Sequence, residues 1–151
     1  MSTAHAVYPD LKGKTVLISG GASGIGEFMV RAFAAQGAKV AFVDRAQSQG
    51  ERLAALLSDQ GHRVEFVCCD ITDEIAYKAA IARFEQTLGP ITVLVNNAAN
   101  DVRHTLQEVD SQMFDRLIAV NLKHAFFAAK AVVPMMKSAG GGQDLPGQYR
   151  R

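Results

Sequence analysis

The glycine-rich stretch Ser19-Gly20-Gly21-Ala22-Ser23-Gly24-Ile25-Gly26 constrains this chain more than any other part of it. The β-branched apolar run Thr15-Val16-Leu17-Ile18 precedes it and reads as a buried strand. After it, Ile25, Met29, Ala32, Phe33 and Gln36 recur at helical spacing, which predicts a helix over 24–36 stopped by Gly37. A strand, a glycine turn and a helix in that order make a phosphate cradle. Glycine lets the backbone turn sharply and approach a ligand, and the helix N-terminus offers unpaired N–H groups and the positive end of its dipole. Gly20, Gly24 and Gly26 are spaced Gly-x-x-x-Gly-x-Gly, unlike the Gly-x-Gly-x-x-Gly of the commoner dinucleotide fingerprint. Alone such a spacing is no more than a turn; between a strand and a helix it points to nucleotide binding.

The rest of the chain repeats the alternation. Lys39-Val40-Ala41-Phe42-Val43, ending at Asp44, reads as a second strand, and Leu53, Leu56 and Leu57 mark a second helix ending near Gly61. A third strand is expected over 63–69, ending at Asp70. Thr72 then caps a helix with acidic first-turn residues Asp73 and Glu74 and an apolar face of Tyr77, Ile81, Phe84 and Leu88. Gly89-Pro90 stops it, Ile91–Val95 is a fourth strand, and 96–104 a polar loop. Asp110 or Ser111 caps a last long helix through Lys137, distorted at Pro134. The order β-α-β-α-β-α-β-α implies an α/β fold: the N-terminal half of a Rossmann-type parallel sheet, strand order 3-2-1-4, with helices on both faces. Its ligand crevice lies beyond the carboxyl ends of strands one and four, and Ser19, Asp44, Asp70 and Asn96 all fall at strand ends.

Composition narrows the function classes. The 151 residues suffice for one domain, and 48% hydrophobic with 21% charged residues is ordinary globular composition. Sixteen Lys plus Arg against fifteen Asp plus Glu leave no basic excess to recommend a nucleic-acid partner. Cys68 and Cys69 are adjacent in a strand, so their side chains face opposite ways; they are expected to be buried inert thiols, with no disulfide or metal site. Residues 1–10 lack the charged and apolar regions of a secretion signal, and no apolar run is expected to span a membrane. The expectation is a cytoplasmic protein without a membrane partner.

Two sites of polar residues bear on chemistry. Asp44 stands about twenty residues beyond the glycines at a strand end, where a carboxylate accepts hydrogen bonds from both adenosine ribose hydroxyls and repels a 2′-phosphate. Arg45 beside it could instead attract that phosphate. Asp70 either holds the adenine amino group, with Ile71 against the ring, or serves as a helix cap. Asn96-Asn97-Ala98-Ala99 closes the fourth strand: amides there can satisfy neighbouring strand carbonyls while small alanines admit a ligand.

With these residues in place the chain resembles the short-chain dehydrogenase/reductase family. The likeness rests on the Thr-Gly-x-x-x-Gly-x-Gly loop (Ser19 replacing Thr), on Asp44 and Asp70, and on the Asn-Asn-Ala-Gly motif with Ala99 for its glycine. It covers residues 7–142. It implies that Ser19, Gly20, Ser23, Gly24, Ile25, Gly26, Asp44, Asp70, Ile71, Asn97 and Ala98 bind the cofactor. NAD is expected over NADP, because phosphate-preferring relatives often carry a cation near Ser23. Asn121 in Val120-Asn121-Leu122 matches the family's active-site asparagine. Tyr8-Pro9-x-Leu11-Lys12-Gly13-Lys14 and Asn100-Asp101-x-Arg103-His104 resemble the family's bacterial aldose 1-dehydrogenases, which oxidise xylose, arabinose or galactose to lactones. Val102 replaces an acid usual there, and the loop would look the same if merely solvated. The family places its base elsewhere than His104. The resemblance thus implies an oxidoreductase acting on a small-molecule substrate, an aldose, by ternary complex without metal, and homo-oligomeric in intact relatives.

In that family a tyrosinate takes the hydroxyl proton, a lysine four residues on lowers the tyrosine's pKa, a serine orients the oxygen and the asparagine holds a relay water. The resemblance locates the serine after a fifth strand and Tyr-x-x-x-Lys on the next helix. After Gly140-Gly141-Gly142 the chain instead reads Gln143-Asp144-Leu145-Pro146-Gly147-Gln148-Tyr149-Arg150-Arg151. The expected organisation is therefore a partial NAD(P)-binding domain over 1–142 and an aberrant, unstructured tail over 143–151. Read one nucleotide on, degenerate codons for 143–150 allow Leu-Gly-Ser-Ile, so the expectation is a truncated or frameshifted chain, inactive by itself. The alternative to a dehydrogenase is a non-catalytic nucleotide-binding fragment or a non-functional product.

Overall fold

The computed structural model describes residues 6–141; the predicted tail over 143–151 lies outside them. Strands β1 (Thr15–Ser19), β2 (Lys39–Asp44), β3 (Val64–Cys68) and β4 (Ile91–Val95) form one parallel sheet in the order β3-β2-β1-β4. Helices α1 (Gly24–Ala35), α2 (Gln47–Asp59), α3 (Glu74–Leu88), α4 (Ser111–Ile118) and α5 (His124–Ser138) supply the connections, with a π turn, Ala119–Lys123, joining the last two. This is the Rossmann-type α/β arrangement expected from the alternation. Every residue of β1 is buried, because a central parallel strand is covered on both faces.

Alternate strand residues feed two cores. Leu17, Ala41, Val43 and Ile91 pack with Phe84 of α3 and Val132 of α5. Val16, Ile18, Val40 and Phe42 pack on the other face with Val30 of α1 and Leu53 and Leu57 of α2. The predicted face of α3 holds, with Tyr77, Ile81, Phe84 and Leu88 all buried.

Other local expectations are corrected. α3 is capped by Asp73, whose carboxylate accepts from the Ala76 N–H at 3.0 Å, and not by Thr72, whose hydroxyl donates to Asp70 Oδ1 at 2.7 Å and so faces away. Met29 and Phe33 of the expected face of α1 pack half-buried against the core, but the fully buried side is Gly26, Val30 and Ala34, and Ile25 is 72% exposed. The helix is rotated because only Gly26 can lie against the glycine loop. Cys69 is buried but Cys68 is exposed on the edge strand, and both are free. Burial pushes the Cys69 thiol up to about 11, with Asp70 and Asp73 adding to the effect, so its reactive thiolate is suppressed.

The long helix starts at Asp110, which accepts from the Met113 N–H at 2.7 Å. Its irregularity is the π turn, not Pro134, through which α5 runs unbroken. Ser111–Ser138 is also long and apolar enough, at mean hydropathy 1.3 over its best window, to cross a membrane by length and composition, contrary to the expectation that no run would qualify. His124, Ala128, Val132 and Met136 nevertheless form a buried i, i+4 stripe against the rest of the fold.

Its outer face is a second stripe, with Phe114, Ile118, Leu122 and Phe126 exposed at intervals of four. β4 is an edge that pairs only with β1 among the described strands. Covering one such side chain fully contributes about 1.5–3 kcal/mol, and an apolar edge strand templates further pairing. The 151-residue chain expressed by itself should therefore elute from size exclusion as oligomers, and Phe126→Glu should shift it towards smaller species. A monodisperse monomer with one cooperative melt above about 45 °C would contradict this.

Candidate dinucleotide site

Strand order reverses between β1 and β4, so the loops after them lie side by side at the carboxyl end of the sheet. Ser19 joins them. It is fully buried, and its Oγ accepts from the backbone N–H groups of Asn97 and Ala98, both at 3.1 Å. Asn97 Nδ2 returns two bonds, to the carbonyls of Ser19 and Gly20, each at 3.1 Å. Behind Ser19 the Tyr77 hydroxyl is buried, and burial above all pushes its phenol well above the usual range.

Two glycines make the loop possible. Gly20 has φ +72°, and a Cβ there would sit 3.0 Å from Ala98 Cα. A Cβ on Gly26 would lie 1.7 Å from the Gly20 carbonyl oxygen. Gly24, also at positive φ, faces open space. Ser23 is extended and its side chain makes no capping bond. The first N–H groups of α1 therefore have no intrahelical acceptor and no side-chain cap, which is the donor set an anion needs. Ala99, where the family motif has glycine, is not at positive φ, so the substitution is unstrained.

Asp44, half-buried at the end of β2, is clamped by two backbone amides. Oδ2 accepts from Ala22 of the glycine loop and Oδ1 from Ala46, each at 3.0 Å. The carboxylate is thus oriented before any ligand arrives, with lone pairs still free. Asp70 lies across from it at the end of β3. The Thr72 backbone N–H holds its carboxyl below the usual range against the opposing effect of burial, with lesser help from the Thr72 hydroxyl and the Arg45 cation. Arg45, 79% exposed, reaches Asp70 only at 3.9 Å. Ile71 is buried beside it.

Asn121 sits in the π turn, tied to the polar loop after β4. Its Oδ1 accepts from the Asn100 N–H at 2.8 Å and its Nδ2 donates to the Asn100 carbonyl at 3.1 Å. That leaves one lone pair and one N–H for another partner. Beyond Asn100, residues 101–104 are exposed. The structure thus brings Ser19, Gly20, Asn97 and Ala98 into one bonded cluster with Gly26 packed against it, links Asp44 to it through Ala22, and sets Asp70 and Ile71 at the far end. Sequence reasoning missed Ala22 and Ala46, which act through backbone N–H groups common to all residues. It also missed Asn100 as the anchor of Asn121.

Residues 14–143 match the short chain dehydrogenase family. The chain belongs to that family. It is 42% identical over 143 residues to a probable galactose dehydrogenase of Rhizobium meliloti, which takes in 94% of this chain and 56% of the relative. It is 44% identical over 139 residues to a D-xylose 1-dehydrogenase of Caulobacter vibrioides, covering 92% of this chain and 54% of that one. Among solved structures, L-sorbose reductase from Gluconobacter frateurii, complexed with NADPH and L-sorbose, superposes with a TM-score of 0.83 at 29% identity. That match covers 87% of this chain and 50% of the reductase. The chain spans about half the length of the relatives it matches.

Proposed function

We propose that this chain is the cofactor-binding part, residues 1–142, of an NAD-dependent dehydrogenase that oxidises the C1 hydroxyl of an aldose to a lactone in the cytoplasm. The observation that carries the reading is the pre-clamped Asp44 carboxylate beside an uncapped helix N-terminus. The residues fit a dinucleotide. The N–H groups of Gly24, Ile25 and Gly26 face the pyrophosphate, Asp44 takes the ribose hydroxyls, and Asp70 and Ile71 border the adenine. Ser19 Oγ and Asn97 Nδ2 act by fixing the loop, the first accepting from the Asn97 and Ala98 N–H groups and the second donating to the Ser19 and Gly20 carbonyls. When bound, the nicotinamide supplies the hydride acceptor. Asn121 uses its remaining N–H and lone pair to hold a water on the proton path. The sugar reading draws on the names of the two relatives and on Asn100, Asp101, Arg103 and His104 beside the crevice.

NADH should bind this chain more tightly than NADPH, by about tenfold or more, because a 2′-phosphate would meet the Asp44 carboxylate at close range. Arg45 does not offset this, being largely exposed and turned towards Asp70. Fluorescence titration with both cofactors checks it, and Asp44→Ala should narrow the gap. Equal or tighter NADPH binding would overturn the assignment. A second reading, a chain that binds nucleotide without catalysis, is favoured by one observation: the crevice contains Asn121 but no tyrosine–lysine pair among the described residues.

A further inference from the structure

Between the N-terminal half of α3 and the π turn with α5 lies a cavity of about 160 Å³ that the cofactor reading does not use. Of the cofactor-site residues only Ile71 borders it; the glycine loop, Asp44 and Asn97 do not. Two of its walls are unusual. Tyr77 and His124 are 2% and 3% exposed, yet Tyr77 Oη and both ring nitrogens of His124 have no hydrogen-bond partner among the described residues. Ser19 lies beside the Tyr77 hydroxyl and the Val120 carbonyl beside the His124 ring. Buried polar atoms are almost always satisfied, and Val120 can serve only one of the two His124 ring nitrogens, so the other calls for an occupant of the cavity.

The rim says which kind. Lys78, Lys123 and Lys130 line the opening, and none lies within 4.0 Å of a carboxylate among the described residues. Lys123 and Lys130 both stand over the Phe127 ring, each Nζ 5.8 Å from its centroid, which holds two ammonium groups to one side of the cavity. Glu74 is the single acid on the lining. The inventory is rich in donors: three ammonium groups, a phenol that burial keeps protonated, and one N–H of a neutral imidazole. A cation would find one histidine and one glutamate, and no metal-holding cluster exists among the described residues. An apolar ligand would leave the orphans unpaired.

We propose that this cavity is a second ligand site, for a small tetrahedral oxyanion, free or as the terminal group of a metabolite, held by Tyr77 and His124 from within and by Lys78, Lys123 and Lys130 at the rim. The inference stands apart from the dehydrogenase reading, because no cofactor contact enters it.

The test uses the 151-residue chain and sodium sulfate, whose charge is constant over the working pH, against sodium chloride at equal ionic strength. Sulfate should raise the melting temperature saturably where chloride does not. The His124 ring proton should shift in NMR along the same curve. Its titration should also move to higher pH with sulfate, since a bound anion favours imidazolium. The charged and titratable groups facing it are Glu74, Tyr77, Lys78, Lys123 and Lys130. The exposed double variant Lys123→Gln/Lys130→Gln, which leaves both cores intact, should weaken sulfate by about tenfold or more. Inorganic phosphate and a hexose phosphate, run in parallel, distinguish a free ion from the end of a metabolite by which binds tighter. A sulfate effect matched by chloride, unchanged in the double variant, or displaced by NADH (which would put the ion at α1) overturns the proposal.

Discussion

Gly26→Ala should abolish cofactor binding while Gly24→Ala, two residues away, only weakens it. The added methyl on residue 26 would lie 1.7 Å from the Gly20 carbonyl oxygen, 2.7 Å from its carbon and 2.8 Å from Asn97 Nδ2. Two of those atoms are backbone, so no side-chain rotation relieves the clash. Either α1 backs away from the sheet by more than an ångström, or the Gly20 carbonyl turns and breaks the bond from Asn97. Both responses move the N–H groups that face the anion, and overpacking of this kind costs about 1–3 kcal/mol of stability as well. At Gly24 nothing stands within 4 Å of a new Cβ, and the cost is that of its φ of +54°, about 1–2 kcal/mol for a non-glycine residue. NADH titration of Gly26→Ala should show affinity reduced about a hundredfold or more, a value set by the loss of several charge-assisted bonds. Gly24→Ala should lose about tenfold. A Gly26→Ala chain that binds NADH within threefold of the parent would mean that the loop is not the cradle.

The same loop shows why much of this site could be read from residues alone. Its glycines are required by backbone geometry, so the spacing carries the shape, and the β1 and β4 bounds follow directly from apolar runs ending at Ser19 and Val95. Features that depend on a distant partner were not legible. The π turn forms where Asn121 reaches Asn100, a bond between a helix and a loop that no helical periodicity records. Thr72 and Asp73 are both good capping residues. Which of them caps α3 is decided by Asp70, which captures the Thr72 hydroxyl. Cys68 is exposed because β3 is an edge strand, a consequence the expected order 3-2-1-4 already contains and the apolar character of the run does not.

The largest effect should be seen in turnover. The 151-residue chain, expressed by itself and supplied with NAD, should oxidise pentoses and hexoses at no more than background, at least about 10⁴-fold below a catalytically complete dehydrogenase. General acid–base catalysis contributes about 10²–10⁴-fold, and correct orientation of the substrate oxygen adds to it. No described side chain at the crevice can replace the base. Tyr77 is buried and its phenol pushed further from ionising. Tyr8 and Lys12 have the Tyr-x-x-x-Lys spacing but stand at the other end of the sheet, where the Tyr8 N–H donates to Gln36 past the end of α1. His124 is buried, and that burial disfavours its cation. His104 is exposed on the loop after β4, four residues beyond the Asn100 that anchors Asn121. Asp101 and His104 are the exposed groups of that loop that could take a proton, so Asp101→Ala and His104→Ala are the controls. NADH formation that follows this chain through purification and disappears in Asn121→Ala, Asp101→Ala or His104→Ala would show that the described residues suffice for catalysis. Absence of turnover, with NADH binding retained and lost in Gly26→Ala, would leave a cofactor cradle that needs further residues to supply its base.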